Sequence, residues 1–260
     1  MTSSIGGFYL KVTISYNGSH YYGFQFQPNA VTVIGELSKC FQTIFKQDIK
    51  LNGSGRTDRG VHASGQVISA EVPFEIPEKQ LLKALNSLLP DNIICVQCSY
   101  VSSSFHALYS AKYRSYRYLF SSEEPTLGLK SFVHFFQVTP CFDIFELIRP
   151  YFLGQHDFSA FQATGSSTSS TLKTVDVFSL SELALTCPLT LRTVHVYQFQ
   201  IQANSFLYKM VRNLMGCLFE VFKNQVDWQS FVSLLDKKNI DFPYTIAPSH
   251  GLSLQSVAYE

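Results

Sequence analysis

Apolar and polar residues alternate from Phe8 to Tyr16, placing Phe8, Leu10, Val12, Ile14 and Tyr16 on one face of a strand ahead of a turn at Asn17-Gly18. Between Val33 and Phe45 the period lengthens: Ile34, Leu37, Phe41, Ile44 and Phe45 fall at helical spacing. "QVISAEV" reads as a strand. "PEKQLLKALNSLLP" reads as a helix with leucines at 81, 82, 85, 88 and 89, opened by Pro77 and stopped by Pro90. "NIICVQCSYV" returns to strand character, so the first hundred residues or so run strand, helix, strand, helix, strand.

The second half repeats this order loosely. "SYRYLFS", "KTVDVFSLSEL", "TLRTVHVYQFQIQA" and "GLSLQSVAYE" read as strands. "PCFDIFELIRPYF" reads as a helix strained or ended by Pro150. "NSFLYKMVRNLMGCLFEVFKN" reads as one long helix, and "DWQSFVSLLDKK" as another with Asp227 as N-cap. The serine and threonine run at 164 to 171 reads as a mobile loop. The pattern predicts an α+β fold of two related subdomains, residues 1–105 and 106–260. Their mostly antiparallel sheets join into one extended sheet, with helices on one face and the other face left as a cleft for a large ligand.

Composition narrows the function. With 260 residues, 46% of them hydrophobic and only 15% charged, the chain can bury a sizeable core and has no disordered character. A net charge of +1 means that any nucleic-acid surface must be a local cluster. No apolar run is long enough for a membrane span, and the N-terminus does not read as a signal peptide. The six cysteines are scattered and fit free thiols in the cytoplasm. Cys95 and Cys98 form a CxxC with no second pair at similar spacing, so they read as small buried residues of a strand rather than zinc ligands.

The chemistry concentrates in "GSGRTDRGVHASGQV". Asp58 sits between Arg56 and Arg59, whose charges favour the ionised carboxylate. Gly55 and Gly60 let the backbone bend tightly, and the strand that follows supplies a rigid mount. A bland turn would use the aspartate only to cap its own backbone. An ionised aspartate held this way can instead be a nucleophile or a general base. No Gly-Lys-Ser/Thr follows, which excludes a P-loop, and no helix follows, which argues against a dinucleotide-binding turn. His62 and Ser64 lack the partners of a hydrolase triad, and His62 reads as a structural hydrogen bonder.

This loop resembles the signature loop of the TruA-type tRNA pseudouridine synthases, GRTDxGVHAxxQV. Five further stretches match that family in order: "ISYNGSHYYGFQFQ", "LPDNIICVQCSYVSSSFHALYSAKYRSYRY", "LGQHDFSAF", "ANSFLYKMVRNLMG" and "APSHGLSLQSVAY". The resemblance runs through nearly the whole chain. It implies an isomerase that converts uridine to pseudouridine at positions 38 to 40 of the tRNA anticodon stem-loop. The N1–C1′ glycosidic bond breaks and the base rejoins through C5, with no cofactor and no metal.

By resemblance, Asp58 is the catalytic carboxylate, by a covalent or a glycal route. Arg212 supports it by keeping it ionised and aimed. Tyr116, in "KYRSYRY", stacks on the target uracil, and Arg56 holds the flipped-out state. Arg114 and Lys209 are candidate phosphate contacts, with Lys112, Arg117 and Lys173 as further sources of positive charge. Arg59 stands where the family commonly has a small residue or lysine, and is expected to add a phosphate contact. His156 and Asp157 read as structural support for a loop. The resemblance also implies a homodimer and the tRNA anticodon arm as partner, with no membrane. Two other readings stand beside this one: a non-catalytic RNA-binding protein or tRNA chaperone on the same fold, and a hydrolase or phosphoryl-transfer enzyme using Asp58.

Overall fold

Leu10, Val12, Ile14 and Tyr16 turn one face of the first strand, β1 (Phe8–Tyr16), into the core, as the alternation predicts. The computed structural model describes residues 7–165, 170–236 and 242–260. Among these are ten strands, mostly antiparallel, and five α-helices, the α+β class expected. The chain divides into two compact units, residues 1–112 with 254–260 and residues 113–253.

In the first unit, α1 (Val33–Phe45) starts where Thr32 Oγ1 accepts the Gly35 N–H at 3.3 Å. It buries Ile34, Leu37, Phe41 and Phe45. The short β2 (Leu51–Gly53) pairs with β3 (His62–Val72), which begins earlier than the sequence pattern suggests. α2 (Glu78–Leu88) follows Pro77 and buries Leu81 and Leu85, while Leu88 stays exposed. β4 (Ile93–Val101) carries Cys95 and Cys98, both buried as the strand reading requires. The Asn86 side chain ties α2 to β4, donating to the Cys95 carbonyl at 2.9 Å and accepting the Cys95 N–H at 2.8 Å. The strands pair in the order β4-β1-β3, all antiparallel.

The second unit contains β5 (Tyr113–Ser121) with the two-residue β6 (His134–Phe135) parallel to it. α3 (Phe142–Phe152) runs two residues past Pro150 before it ends. The missing Pro150 N–H falls in the last turn, where few helix bonds remain to be lost. Then come β7 (Gly154–Asp157), β8 (Leu172–Thr186) and β9 (Thr193–Ala203), in the strand order β5-β9-β8-β7.

α4 (Met210–Phe222) is shorter than predicted: residues 204–209 are not helical, and Lys209 takes a left-handed backbone at φ +59°. The helix is buried nearly all round, so Met215, Gly216 and Phe219 belong to the core together with Met210, Val211, Leu214 and Leu218. α5 (Trp228–Ser233) has the predicted cap, Asp227 Oδ1 accepting the Ser230 N–H at 2.8 Å. Lys237 and Lys238, assigned to this helix from sequence, lie outside the described residues, as do residues 166–169 of the predicted loop. β10 (Leu252–Ala258) begins in the second unit and ends in the first, where Ser64 Oγ donates to the Gln255 carbonyl at 3.2 Å.

Cross-strand register shows which face of the second unit's strands the helices cover. Tyr118 lies opposite Phe199, and Phe178 opposite Ile201, so these side chains share a face. Phe145 and Phe152 of α3 stack on Phe178 at 5.5 and 4.8 Å, and Phe219 of α4 packs on Tyr118 and Phe120 at 5.9 and 5.2 Å. Arg114 and Tyr116 lie on this same helix-bearing face. The other face of β5 carries Tyr113, Ser115 and Arg117, with Ser115 and Arg117 opposite Gln202 and Gln200.

Candidate active site

The loop that carries Asp58 is pinned at Ser54, Gly55, Thr57, Asp58 and Val61 within the first unit. Ser54 N donates to the Val67 carbonyl at 2.8 Å, and Gln66 Nε2 donates to the Gly55 carbonyl at 3.0 Å. The buried hydroxyls of Tyr16 and Thr57 bond to each other at 2.8 Å. Phe24 N donates to the Thr57 carbonyl at 3.1 Å. After Asp58 the chain reverses in a turn closed by Val61 N donating to the Asp58 carbonyl at 3.1 Å, with Gly60 at φ +80° in the third position, as such a turn requires. Gly18 N donates to His62 Nδ1 at 3.0 Å, so the buried His62 is the structural hydrogen bonder that the sequence suggests.

A second loop presses on the first through Gly23. Its φ is +95°, and a Cβ there would lie 2.8 Å from the Thr57 carbonyl oxygen and 3.4 Å from the Asp58 carbonyl carbon. Only glycine allows this approach. The outcome is a half-buried Asp58 on a braced backbone, with Arg56 and Arg59 exposed on either side of it. The Arg59 guanidinium lies over the Tyr22 ring, 4.1 Å from its centroid.

In the second unit, Tyr116 is 9% exposed in β5 and meets Phe206 edge-on at 5.0 Å. Arg114 is buried, and its Nη1 donates to the Asn204 carbonyl at 2.9 Å. Lys173 is buried nearby and donates from Nζ to the Ser170 carbonyl at 2.9 Å. Burial, and then the charge of Arg114, push its ammonium below the ordinary lysine value. Lys173, named from sequence as a further source of positive charge, stands in "LKT" where the family commonly has Arg-x-Ile.

Arg212 is half-buried on α4, with its Nε donating to the Ala247 carbonyl at 2.8 Å. Lys209 precedes that helix with Nζ 5.0 Å from the centroid of Tyr208. His156 and Asp157 make local bonds. His156 Nε2 lies 2.7 Å from the Leu153 carbonyl oxygen, and Asp157 Oδ1 accepts the Ser159 N–H at 3.0 Å. Among the described residues, no cluster of three or more His, Cys, Asp or Glu could hold a metal ion, and no helix is long and apolar enough to cross a membrane.

The first unit thus presents a half-buried aspartate on a braced glycine-rich turn, flanked by exposed arginines. Comparison with known proteins names the class. The family model for tRNA pseudouridine synthase matches residues 12–110 and 150–260. The chain belongs to this family, whose enzymes are isomerases.

Among its relatives, tRNA pseudouridine synthase A of Thermoanaerobacter sp. (strain X514) is 34% identical over 253 residues, covering 96% of this chain and 99% of that protein. The enzyme of the same name from Anoxybacillus flavithermus (strain DSM 21510 / WK1) is 34% identical over 255 residues, covering 96% and 98%. The one from Thermodesulfovibrio yellowstonii (strain ATCC 51303 / DSM 11347 / YP87) is 33% identical over 252 residues, covering 96% and 99%. The resemblance carried by the six sequence motifs is thereby borne out. Asp58 and Arg212 fall inside the two spans matched by the family model, and Arg114 and Tyr116 fall between them.

Proposed function

We propose that this chain isomerises uridine to pseudouridine at positions 38 to 40 of the tRNA anticodon stem-loop, with Asp58 as the catalytic carboxylate. The observation that carries this reading is the immobilised Asp58 turn: its neighbours are fixed by the bonds of Thr57, Val61 and Phe24 and by the close approach of Gly23. A fixed carboxylate loses little freedom on reaching its reacting geometry. The target uridine leaves its stack, at a cost of a few kcal/mol, before Asp58 acts on it. The N1–C1′ bond breaks, the C1′–C5 bond forms, N1 gains a proton and the C5 proton is released to solvent.

The family resemblance supplies the supporting roles. Arg212 keeps the carboxylate ionised, Tyr116 stacks on the uracil, and Arg56 holds the flipped-out state. Arg114 and Lys209 contact phosphates, and Arg59, where the family commonly has a small residue or lysine, adds a further phosphate contact of this chain's own. The same resemblance supports a cytoplasmic homodimer that grips the anticodon arm and uses neither cofactor nor metal.

The test of the target position is chemical mapping of pseudouridine in tRNA transcripts carrying uridine at position 38, 39 or 40 alone. Modification at one or more of these positions and nowhere else is expected. Modification confined to another arm of the tRNA would contradict the reading.

A further inference from the structure

Arg59 follows Asp58 directly, is exposed, and stacks on Tyr22. Tyr22 is itself 47% exposed, yet its backbone is hydrogen-bonded at both its N–H and its carbonyl. Tyr22 N donates to the Val31 carbonyl at 2.9 Å, and the Gln27 side chain donates to the Tyr22 carbonyl at 2.7 Å. The next residue, Gly23, accepts the Val33 N–H at 3.2 Å and abuts the backbone of Asp58. Tyr21 and Phe24 on either side are buried, while the Tyr22 side chain faces out. The Tyr22 ring is therefore a shelf on a fixed backbone, set against the turn that holds Asp58.

A long arginine on a surface turn ordinarily samples many rotamers, and a contact with a ligand must pay for ordering it. Stacking on a fixed aromatic face removes much of that cost. It occupies one face of the guanidinium plane and leaves the N–H fork at its edge for an anionic partner, a geometry suited to phosphate oxygens.

We infer that Tyr22 and Arg59 form one preorganised phosphodiester anchor beside Asp58, in which Arg59 takes a backbone phosphate of the RNA substrate and Tyr22 is the positioning residue that braces it. This rests on the proposed RNA substrate and on the phosphate role given to Arg59 above. It adds the brace, a contact with Arg59 that the sequence does not show.

The experiment is a double-mutant cycle in tRNA binding, measured as affinity against salt for the full chain with an unmodified tRNA transcript. Arg59→Ala is expected to lower the salt slope by about one and to weaken binding about tenfold at about 50 mM salt, the effect of one phosphate contact. Tyr22→Ala is expected to weaken binding about two- to fivefold when Arg59 is present. In the Arg59→Ala background it is expected to have no effect. Tyr22→Phe, which keeps the ring, restores the brace.

A Tyr22→Ala loss of equal size in both backgrounds would mean that Tyr22 meets the RNA directly, and would overturn the inference. So would a Tyr22→Ala variant that binds like wild type, or an Arg59→Ala variant with an unchanged slope. A wild-type chain that binds no tRNA would instead sink the proposed function itself, which keeps the two failures apart. Thermal melting of each variant checks that the fold is kept.

Discussion

Arg212 and Ala247 are joined by a reciprocal pair of hydrogen bonds: Arg212 Nε donates to the Ala247 carbonyl at 2.8 Å, and Ala247 N donates to the Arg212 carbonyl at 3.1 Å. Side chain and backbone of the same residue are thus gripped by one point of the segment before β10. That segment is fixed on both sides. Its Thr245 carbonyl crosses α4 at Gly216, and its Pro248 carbonyl accepts from the Tyr118 hydroxyl at 2.9 Å. The guanidinium of Arg212 is thus oriented by the segment before β10.

Replacing Gly216 tests this grip. A Cβ on Gly216 would run into the Thr245 carbonyl, which is backbone and cannot swing aside. Gly216→Ala is expected to cost about 1–3 kcal/mol of stability through overpacking. Its kcat is expected to fall with it, because the Ala247 carbonyl moves with Thr245. Thermal denaturation and single-turnover rates measure the two effects.

Tyr118→Phe removes only a hydroxyl. Burial raises the pKa of that phenol, so it remains a donor throughout the working pH range. Its loss leaves the Pro248 carbonyl short of a partner, at an expected cost of about 1 kcal/mol. Urea unfolding should show a lower midpoint at unchanged m-value.

In the first unit, Gly23→Ala places a Cβ 2.8 Å from the Thr57 carbonyl oxygen at a backbone φ of +95°. Strain and clash act together, so the expected loss exceeds about 1 kcal/mol. The Asp58 turn is expected to loosen and activity to fall more steeply than for an exposed Gln25→Ala control. Hydrogen exchange at Val61 N–H, which closes the turn, reports the loosening.

His134 and His250 make stability depend on pH. Their rings meet edge-on at 5.5 Å beside Tyr118 and Phe219, with Lys223 as a further cation nearby. Burial, then the charges of His250 and Lys223, lower the His134 pKa from 6.5 to about 4. Burial moves His250 in the same direction. The folded state therefore favours neutral imidazoles, while the unfolded state takes up protons first. The stability contributed by this pair is expected to be full above pH 6.5 and to be lost as pH drops towards about 4. His134→Phe, which keeps a ring in the cluster, is expected to flatten that slope in denaturation measured from pH 7 down to pH 4.

The sequence made visible those elements whose period is long enough to count. β1 and α1 appear where alternation and helical spacing place them, and the Thr32 and Asp227 caps are local side-chain chemistry. β2, β6 and β7, of two to four residues, have no period to detect. The early start assigned to α4 failed for a tertiary reason. Asn204 accepts the Thr174 and Ser205 N–H groups on its side chain and Arg114 on its carbonyl, which holds the chain in a turn that helix-forming residues alone would not produce.

The candidate site was legible to the same degree. Asp58 stood out by its charged neighbours and glycines. The Ala247 partner of Arg212 lies 35 residues away, and the Tyr22 shelf under Arg59 comes from a different loop, so neither leaves a mark in local pattern.

The central claim, that Asp58 drives uridine isomerisation, is tested most directly by release of tritium from uracil C5 in labelled tRNA, comparing the wild-type chain with Asp58→Ala. The account predicts release by wild type and none by the variant, with tRNA still bound by both. Equal release by the two proteins would contradict the role of Asp58, and no release by wild type under conditions where it binds tRNA would contradict the isomerase itself.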